Sequence, residues 1–305
     1  NTKKHCLPLI RQTLSVAHPP SVIQIKSGEK NKNIKSCIKI WETLSQKKAD
    51  RKSLLINLGG GVITDMGGFA ASAYKRGINF IHIPTTLLSQ VDASIGGKTS
   101  IDFLGFKNQI GTFAFPKEVF ILPSFLKTSG KRQILSGLAE VIKHILITDK
   151  NFRITLPSLL CIKTRPVRDE EWENIVFNSL QIKNKIVSQD PFEKGARKTL
   201  NFGHTIGHAL ESASLKTQKP LLHGEAIAIG MICEAYLSKK QLGLSAQELN
   251  DITLFIRTIF NPQKTTYPVK NLIGMMRQDK KNSNSKINFT LLRSIGRAKT
   301  DNICT

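Results

Sequence analysis

The stretch Leu200-Asn-Phe-Gly-His204-Thr-Ile-Gly-His208 places two histidines four residues apart, and Leu222-His223-Gly-Glu225 adds a third histidine fifteen residues after the second. Residues four apart lie on one face of a helix, one turn from each other. Three imidazoles that converge from a helix and a neighbouring segment can bind a transition metal and leave one ring for proton transfer. A catalytic zinc needs three protein ligands and an open position, so an acid from elsewhere would complete the set. The alternative is that these histidines are ordinary core or surface residues.

The length and composition are those of a globular protein. A chain of 305 residues with 40% apolar residues can hold two domains with a sizeable core. Its five cysteines are dispersed and never form a Cys-x-x-Cys pair, which argues against a disulfide framework and favours a reducing compartment. No apolar run reaches the length of a membrane span, and the start lacks a secretory apolar core, so a cytoplasmic enzyme is expected. The chain begins with Asn1 rather than Met, so residues are expected to precede it.

The charge balance is strongly basic, with 45 Lys and Arg against 22 Asp and Glu, a formal net charge of +23. Nucleic-acid binding therefore has to be considered. However, the basic residues are dispersed, and no basic stripe is interleaved with aromatic residues. Dispersed lysines are more typical of a solvated surface, and they would also attract anionic substrates. Specific nucleic-acid binding is not expected.

Apolar runs in the first part of the chain predict β-strands. Four of them read as strands, Ser21–Ile25, Ser53–Leu58, Ile78–Ile83 and Glu118–Leu122. Helical spacing is seen in Thr2–Leu14 and Ile34–Leu44. Strands that alternate with helices favour a parallel sheet, whose ligands gather at the carboxyl ends of its strands.

Glycines, threonines and a lysine follow these strands. Gly59-Gly60-Gly61 comes directly after the second run, where glycines let the backbone approach a ligand and the next helix offers free amides to a phosphate. Thr85 and Thr86 follow the third run and offer hydroxyls. Gly96-Gly97-Lys98 and Lys107-Asn108 suit a phosphate or a carboxylate. The alternative for each is an ordinary turn or loop.

After Pro123 strand-like runs give way to helical spacing until about residue 278, so we expect a domain boundary near 125–130, with domains at 1–127 and 128–305.

Glu140 and Lys143 lie three apart in an otherwise apolar helical run, where an acid needs a partner. They predict either a surface ion pair or a metal carboxylate with a nearby lysine. Lys183, Asp190 and Arg197 recur at seven-residue, helix-compatible intervals, and Ile287–Leu291 reads as a late strand.

The chain resembles the 3-dehydroquinate synthase family in an ordered series of motifs from about residue 26 to 298. The motifs are Gly-Gly-Gly-Val-x-x-Asp65, Ile-Pro-Thr-Thr-Leu-Leu-x-Gln-Val-Asp92-Ala-Ser-x-Gly-Gly-Lys98, Lys107-Asn108-x-Ile-Gly, Gly-Leu-Ala-Glu140-x-x-Lys143, Arg197-x-x-Leu-Asn201-Phe-Gly-His204-x-Ile-Gly-His208 and His223-Gly-Glu-Ala. Each motif alone is weak, but the series is highly specific. It implies an N-terminal α/β nucleotide-binding domain with a Rossmann-like parallel sheet, a mainly α-helical C-terminal domain, and an active site between them.

The resemblance also implies an activity. Members of this family convert 3-deoxy-D-arabino-heptulosonate 7-phosphate to 3-dehydroquinate and phosphate, the second step of the shikimate pathway. They use NAD catalytically, together with a divalent metal that is usually zinc and here would be Zn²⁺ or Co²⁺. Transient oxidation by NAD, elimination of phosphate, re-reduction and an intramolecular aldol closure follow one another. A homodimer is implied as well.

The resemblance assigns roles to individual residues. The metal ligands would be Glu140, His204 and His223. The catalytic residues would be His208, which handles protons, and Lys98, Lys143 and Arg197. The substrate-binding positions would be Asp65, Lys98, Asn108, Lys143, Lys183, Arg197, Asn201 and Lys280. The NAD-binding positions would be Glu29, Lys32, Gly60, Gly61, Asp65, Thr85, Thr86, Asp92, Lys107 and Thr128.

The chain departs from the family pattern at several positions. Asn1 matches the asparagine of an early turn that touches the adenosine, so the first strand is expected to be missing. Gln133 takes a position that is usually acidic, which would weaken a cofactor contact. Three alternatives stay open: a related sugar phosphate cyclase, a metal-dependent NAD polyol dehydrogenase, and a non-catalytic basic binding protein. The lysines and Arg197 favour the synthase over the first, and Glu140 with the lysine set argues against the second.

Overall fold

The computed structural model describes residues 1–13, 20–149, 152, 155, 159–215, 217–262, 267–277 and 286–304. The chain divides into two compact units, Asn1–Gly130 and Lys131–Thr305. None of the helices in the described ranges combines the length and apolarity needed to cross a membrane.

The first unit alternates helices with strands. Its helices and strands are α1 Thr2–His5, α2 Leu7–Thr13, α3 Ile34–Gln46, β1 Leu54–Gly59, α4 Gly61–Ala73, β2 Asn79–Pro84, β3 Lys98–Phe103 and β4 Phe106–Phe113. Short 3-10 turns lie at Glu29–Asn31, Tyr74–Arg76 and Pro123–Thr128, and a π-helical turn lies at Ser89–Ala93.

β1 and β2 pair in parallel from Leu54 opposite Asn79 to Gly59 opposite Pro84. Val119 adds an isolated parallel bridge to His82 on the other side of β2. Since parallel strands need a crossover between them, α4 connects β1 to β2. This α/β unit confirms the predicted fold class, with the carboxyl ends of both strands at Gly59 and Pro84.

The core of the first unit is built where α3, α4 and β3 pack together. One apolar cluster contains Cys37, Ile40, Met66, Phe69, Ala70 and Ile101. The indole Nε1 of Trp41 donates a hydrogen bond of 2.9 Å to the carbonyl of Ala70, which ties α3 to α4. Burial raises the pKa of the Cys37 thiol to about 12, so this cysteine is a core side chain rather than a nucleophile.

Two of the predicted strands in the first unit differ from the sequence-based expectation. Ser21–Ile25 forms no strand, although Ile23 and Ile25 pack against the core cluster on alternate positions. In Glu118–Leu122, Val119 alone forms a bridge to a neighbouring strand. Alternation of apolar residues thus marks extended backbone, but a strand also requires a hydrogen-bonding neighbour.

β3 and β4 form an antiparallel hairpin, which was not expected from the sequence. Its two turn residues, Leu104 and Gly105, both have positive φ, 50° and 82°. This is the backbone of a type I′ turn, which is usually made by Asn-Gly. Because Leu104 stands at the first turn position, the usual sequence signal for a hairpin is absent here.

The second unit is mainly helical, as predicted. Within the described residues of this unit, the helices are α5 Lys131–Thr148, α6 Cys161–Thr164, α7 Asp169–Gln189, α8 His204–Ser214, α9 His223–Leu242, α10 Ala246–Phe260 and α11 Val269–Arg277, and the strands are β5 Asn288–Ser294 and β6 Arg297–Ile303. A 3-10 turn lies at Ala196–Asn201. The predicted late strand is therefore present, and β6 pairs with it in an antiparallel hairpin.

Candidate active site

Two of the three singled-out histidines lie on α8, as the four-residue spacing predicts. His204 is the first residue of this helix, and its ring centroid lies 5.1 Å from that of His208. Gly203 precedes it with a φ of 81°, in the left-handed region that favours glycine. Nδ1 of His204 donates a hydrogen bond of 3.1 Å to the carbonyl oxygen of Phe202, so the lone pair of this ring is on Nε2.

The third histidine begins α9 and is held close to α5. A Cβ on Gly224 would lie 2.0 Å from the carbonyl oxygen of Ser136, so only glycine permits this approach. The Gly224 amide also donates a hydrogen bond of 3.0 Å to Ser136 Oγ. Ser136 lies one turn before Glu140 on α5, so this close contact brings His223 to Glu140.

Glu140 is the acid that the histidine pattern required. Its side chain is fully buried, and Oε1 lies 3.2 Å from His223 Nε2 and 3.5 Å from His204 Nε2. Oε2 accepts a hydrogen bond from the ammonium of Lys143, which is also buried. The expected surface alternative for Glu140 and Lys143 is therefore wrong, since both are in the interior.

These three ligand atoms fit a divalent metal ion. Zinc bonds of 2.0–2.1 Å in a tetrahedron separate neighbouring ligand atoms by about 3.3 Å. The distances from Glu140 Oε1 to Nε2 of His223 and of His204 are 3.2 and 3.5 Å. Ligand atoms of Glu140, His204 and His223 all lie within 4.8 Å of one another. A buried carboxylate and two imidazoles whose Nε2 atoms face it are the ligands that zinc or cobalt takes.

Glu211 fixes the tautomer of the third histidine. Its Oε2 lies 3.2 Å from Nδ1 of His223, and a carboxylate can only accept, so Nδ1 carries the proton. Burial lowers the pKa of His223, but the carboxylates of Glu211 and Glu140 outweigh it and raise that pKa to about 10. The same carboxylates therefore favour either a second proton at Nε2 of His223 or a metal ion that replaces this proton.

His208 stands beside the proposed ligands. Its ring centroid lies 5.8 Å from that of His223, and with Glu211 and His223 it forms a second set of possible ligands. The two sets share His223, whose Nδ1 is held by Glu211. Nε2 of His204 and Nε2 of His223 both face Glu140 Oε1, so the set that contains Glu140 could hold a cation, and His208 lies outside that set.

Arg132 ties the start of α9 to α5. Its guanidinium makes two hydrogen bonds of 2.6 Å to the carboxylate oxygens of Glu225 and one of 2.6 Å to the carbonyl of Pro220. Glu225 in turn accepts a hydrogen bond from the amide of Leu222, directly before His223. This bidentate pair holds the segment that presents His223.

A carboxylate also organises the loop before Arg197. Asp190 accepts hydrogen bonds from the backbone amides of Lys194, Gly195 and Arg197, at 2.9, 2.7 and 3.0 Å. Burial raises the Asp190 pKa, but these amides outweigh it and lower that pKa below its ordinary value. The helix-compatible spacing of Lys183, Asp190 and Arg197 does not correspond to one helix. Lys183 lies on α7, Asp190 follows its last residue, and Arg197 lies on a 3-10 turn.

Arg197 and Lys183 are buried, and Asn201 is half-buried. The guanidinium of Arg197 donates to the carbonyl of Pro191, and Asn201 Nδ2 donates to Glu193 Oε1 at 2.9 Å. Buried cations such as these suit an anionic ligand.

A polar cluster in the first unit is centred on Lys32. Its buried ammonium lies 2.6 Å from Asp65 Oδ2 and donates to Asn108 Oδ1. Burial of the ammonium lowers the Lys32 pKa, but the carboxylates of Asp65 and Glu29 outweigh it, and the Lys32 pKa is raised. Glu29 also pairs with Lys107 at 3.0 Å. Five predicted cofactor or substrate residues therefore lie together.

The glycine-rich turn lies at the carboxyl end of β1. A Cβ on Gly60 would lie 3.0 Å from Thr86 Cγ2, and one on Gly61 would lie 3.3 Å from the Cβ of Ala93. Gly60 is the N-cap of α4 and makes no side-chain cap hydrogen bond, and the uncapped start of a helix suits a phosphate. The Thr85 amide donates a hydrogen bond of 2.9 Å to the carbonyl of Gly59, which places this threonine beside the turn.

The remaining predicted residues are distributed as follows. Lys98 begins β3, Asp92 lies in the π-helical turn, and Thr128 ends a 3-10 turn where its carbonyl accepts a hydrogen bond of 2.9 Å from Asn1 Nδ2. Lys280 lies outside the described residues.

Two buried acids of the second unit were missed from the sequence, Glu211 and Glu234. Glu211 is seven residues after His204, so the helical spacing that paired the histidines could have revealed it. Glu234 carries no such signal, because its partners are backbone amides of another helix.

Comparison with known proteins gives a consistent picture. Residues 22–136 match the family model of the 3-dehydroquinate synthase N-terminal domain, and residues 137–282 match that of the C-terminal domain. A 3-dehydroquinate synthase from Parabacteroides distasonis is 44% identical over 97% of this chain and 83% of that relative.

Two solved structures share the fold. One is the 2-epi-5-epi-valiolone synthase ValA from Streptomyces hygroscopicus with NAD⁺ and Zn²⁺ bound, at 28% identity and a TM-score of 0.80, covering 92% of this chain and 78% of that one. The other is a 2-deoxy-scyllo-inosose synthase complexed with carbaglucose-6-phosphate, NAD⁺ and Co²⁺, at 24% identity and a TM-score of 0.88, covering 99% and 83%.

Proposed function

This chain belongs to the 3-dehydroquinate synthase family, and on that premise we propose that it converts 3-deoxy-D-arabino-heptulosonate 7-phosphate to 3-dehydroquinate and phosphate. The observation that carries the proposal is the convergence of His204 Nε2 and His223 Nε2 on Glu140 Oε1, at 3.5 and 3.2 Å. This geometry supports a catalytic metal centre with two imidazoles and one carboxylate.

The reaction needs NAD and a divalent metal ion, Zn²⁺ or Co²⁺. When bound, the metal supplies a Lewis acid for substrate hydroxyls, and NAD supplies a transient oxidation that is reversed within the same turnover. The residues that would hold the metal are Glu140, His204 and His223. Their tautomers support this, because the Nδ1 positions of both rings donate to oxygen acceptors.

His208 would move protons at the reacting hydroxyl. Its ring centroid lies 5.1 Å from that of His204 and 5.8 Å from that of His223, which is next to the proposed metal without being among its ligands. Imidazole is the side chain best suited to exchange protons near neutral pH.

Cationic and amide side chains would hold the two anionic groups of the substrate, its phosphate and its carboxylate. Charge-assisted hydrogen bonds to such groups are strong and fix the pose of a reactant. Lys143 is tied to Glu140, and Arg197 is fixed by the loop around Asp190, which supports their assignment as catalytic residues together with Lys98. The complete proposed substrate set is Asp65, Lys98, Asn108, Lys143, Lys183, Arg197, Asn201 and Lys280.

The first unit would hold NAD. The uncapped start of α4 at Gly60 and Gly61 suits the pyrophosphate, and the cluster around Lys32 and Asp65 offers polar contacts. The complete proposed cofactor set is Glu29, Lys32, Gly60, Gly61, Asp65, Thr85, Thr86, Asp92, Lys107 and Thr128.

We further propose a cytoplasmic homodimer. The hairpin of β3 and β4 exposes apolar side chains, with Leu104 80%, Phe106 46% and Phe113 44% exposed, and such a patch suits a second copy of the chain. Light scattering should give twice the chain mass for the wild type and one chain mass for Phe106→Lys. A monomeric wild type contradicts this part of the proposal.

Three other functions make different predictions. A related sugar phosphate cyclase would act on another heptulose phosphate, and the buried Arg197 and Lys183 argue for a substrate with an additional carboxylate. A metal-dependent NAD polyol dehydrogenase would release NADH. A basic binding protein would not require a buried carboxylate with two imidazoles beside it.

One assay separates these activities. Purified protein with NAD and zinc should release phosphate from 3-deoxy-D-arabino-heptulosonate 7-phosphate with no net accumulation of NADH at 340 nm (roughly the absorption maximum of reduced nicotinamide). Omission of NAD or treatment with a chelator should stop phosphate release. Continuous NADH formation would support the dehydrogenase instead, and the absence of any turnover together with salt-sensitive DNA binding would support the binding protein.

A further inference from the structure

Glu234 caps a helix on which it does not lie. It is a fully buried residue of α9, and its two carboxylate oxygens accept hydrogen bonds from the backbone amides of Gly203, at 2.6 Å, and Ile206, at 3.1 Å. Both amides belong to the first turn of α8, which begins at His204. The carboxylate therefore bridges the helix that carries His204 and His208 to the helix that begins at His223.

The start of α8 needs such an acceptor. The first amides of a helix have no partner within it, and they are usually satisfied by Ser, Thr, Asp or Asn at the cap position. Here the cap position is Gly203, and no side chain caps the helix locally. A charged acceptor from α9 supplies these hydrogen bonds, which are of the stronger, charge-assisted kind.

The charge of Glu234 also matters for the histidine beside it. The N-terminus of a helix carries a partial positive charge of about half an elementary unit, which disfavours a cation nearby. His204 is the first residue of α8 and would hold a divalent cation at this end. The buried carboxylate of Glu234 accepts hydrogen bonds from the amides of this turn and offsets the positive end of the helix, which would favour a metal ion at His204.

The packing leaves little freedom around this contact. A Cβ on Gly230, one turn before Glu234, would lie 2.0 Å from the carbonyl oxygen of Gly203, and a Cβ on Gly203 would lie 2.6 Å from Cγ of Met231. The backbones of α8 and α9 therefore touch where the carboxylate bridges them. In addition, Ser238 Oγ donates a hydrogen bond of 2.6 Å to the carbonyl of Glu234, which fixes the backbone behind the carboxylate.

We propose that Glu234 is a positioning residue of the metal centre, which sets the separation of His204 from His223 and offsets the helix charge at His204. This inference rests on the proposed function, since it assumes that His204 and His223 share a metal ion. Glu234 itself is not a ligand, because both of its oxygens are directed at backbone amides.

The test compares two carboxylates that each cap a helix. Glu248 accepts hydrogen bonds from the amides of Ser245, at 3.2 Å, and Ile295, at 2.9 Å, at the start of α10, and thus provides a matched control. Zinc affinity is measured for the wild type, Glu234→Gln and Glu248→Gln by competition with a chromogenic chelator. Unfolding by urea is measured in parallel with chelator present.

We expect Glu234→Gln to bind zinc about 10- to 100-fold more weakly than the wild type, the range for groups that orient metal ligands. Glu248→Gln should keep wild-type zinc affinity. Both variants should lose stability in urea, because each gives up hydrogen bonds at a helix start. A merely structural role of Glu234 predicts lower stability with unchanged zinc affinity, and that result overturns the inference.

A second variant covers the case in which Glu234→Gln does not fold. Glu234→Asp keeps the charge, but its shorter side chain cannot reach both amides. Its zinc affinity should lie between those of the wild type and Glu234→Gln. If Glu234→Gln is unfolded, the zinc affinity of Glu234→Asp should still lie below that of the wild type. Wild-type affinity in Glu234→Asp overturns the inference. Zinc binding by the wild type and its loss in Glu140→Gln test the proposed function separately, so the two failures can be distinguished.

Discussion

Oε2 of Glu211 lies 3.2 Å from Nδ1 of His223, while Nε2 of the same ring lies 3.2 Å from Oε1 of Glu140. One carboxylate thus holds the proton of the imidazole, and the other nitrogen is available to a metal ion. This arrangement would make His223 a better ligand for the proposed metal ion, because Glu211 already fixes the orientation of its ring.

Replacement of Glu211 should weaken metal binding without removing a ligand. For Glu211→Gln we expect zinc affinity to fall about 10- to 100-fold, since the amide no longer stabilises a charged imidazole–metal unit. Chelator competition on the folded protein measures this. Glu171→Gln, which removes a carboxylate paired with exposed Arg165, is the control and should bind zinc like the wild type. Equal affinity in both variants would contradict the assigned tautomer.

The two histidines of α8 should differ in their effects. His204→Ala should lose bound zinc, because it removes one of three ligands. His208→Ala should retain zinc and lose about 100- to 10,000-fold in kcat, the usual contribution of a general acid or base. Atomic absorption on dialysed protein and phosphate release measure the two quantities. Equal zinc retention by both variants would show that the ligand assignment is wrong.

Lys143 should matter most when the metal has been removed. Its ammonium pairs with the fully buried Glu140, and removal of one partner of a buried pair costs about 3–5 kcal/mol. We therefore expect chelator-treated Lys143→Met to be much less stable than chelator-treated wild type, and zinc to restore more stability to the variant. Arg165→Met, which breaks an exposed pair, should change little in either condition. A zinc-independent loss in Lys143→Met would argue against a cation at Glu140.

The loop around Asp190 should control the placement of Arg197. In Asp190→Ala the amides of Lys194, Gly195 and Arg197 lose their shared acceptor, and Arg197 is no longer fixed. A displaced positioning group lowers catalysis by about 100-fold, so we expect a loss of this order in kcat/KM with zinc affinity unchanged. Asp190→Asn, which keeps one acceptor oxygen, should lose less. If Asp190→Ala instead releases zinc, the loop acts through the metal centre.

Stability should depend on pH through His82. Burial lowers the pKa of this histidine to about 4 in the folded chain, whereas its ordinary pKa is 6.5. Between pH 4 and pH 6.5 the unfolded chain binds more protons than the folded chain, so the free energy of unfolding rises with pH in this range. The contribution of His82 to stability is therefore lost as the pH falls from about 6.5 towards 4. The slope from one such group is at most about 1.4 kcal/mol per pH unit. Urea unfolding at several pH values should show this slope in the wild type and less of it in His82→Asn.

The sequence predicted those parts of the fold and site that depend on local periodicity. The spacing of His204 and His208, the buried runs that became β1 and β2, and the helix that carries Glu140 follow from side-chain repeats along one element. The ordered motifs then connected them to a family, and the family membership is confirmed.

Features that depend on partners distant in sequence were not predictable in this way. Ser21–Ile25 has the alternation of a strand but forms no ladder, and the β3–β4 hairpin turns at Leu104-Gly105 without the usual turn residues. Glu234 resembles any helical surface acid until the amides of Gly203 and Ile206 are seen beside it. In each case the deciding interaction comes from another element, which no local pattern encodes.

Gly224 has a consequence for how activity can be lost. It carries no chemistry, but a single methyl group there would collide with the backbone at Ser136 and push the neighbouring imidazole off the carboxylate it faces. A genetic screen for inactive alleles should therefore recover Gly224→Ala as readily as changes to the ligands themselves. More residues are therefore essential to this chain than those whose side chains take part in the chemistry.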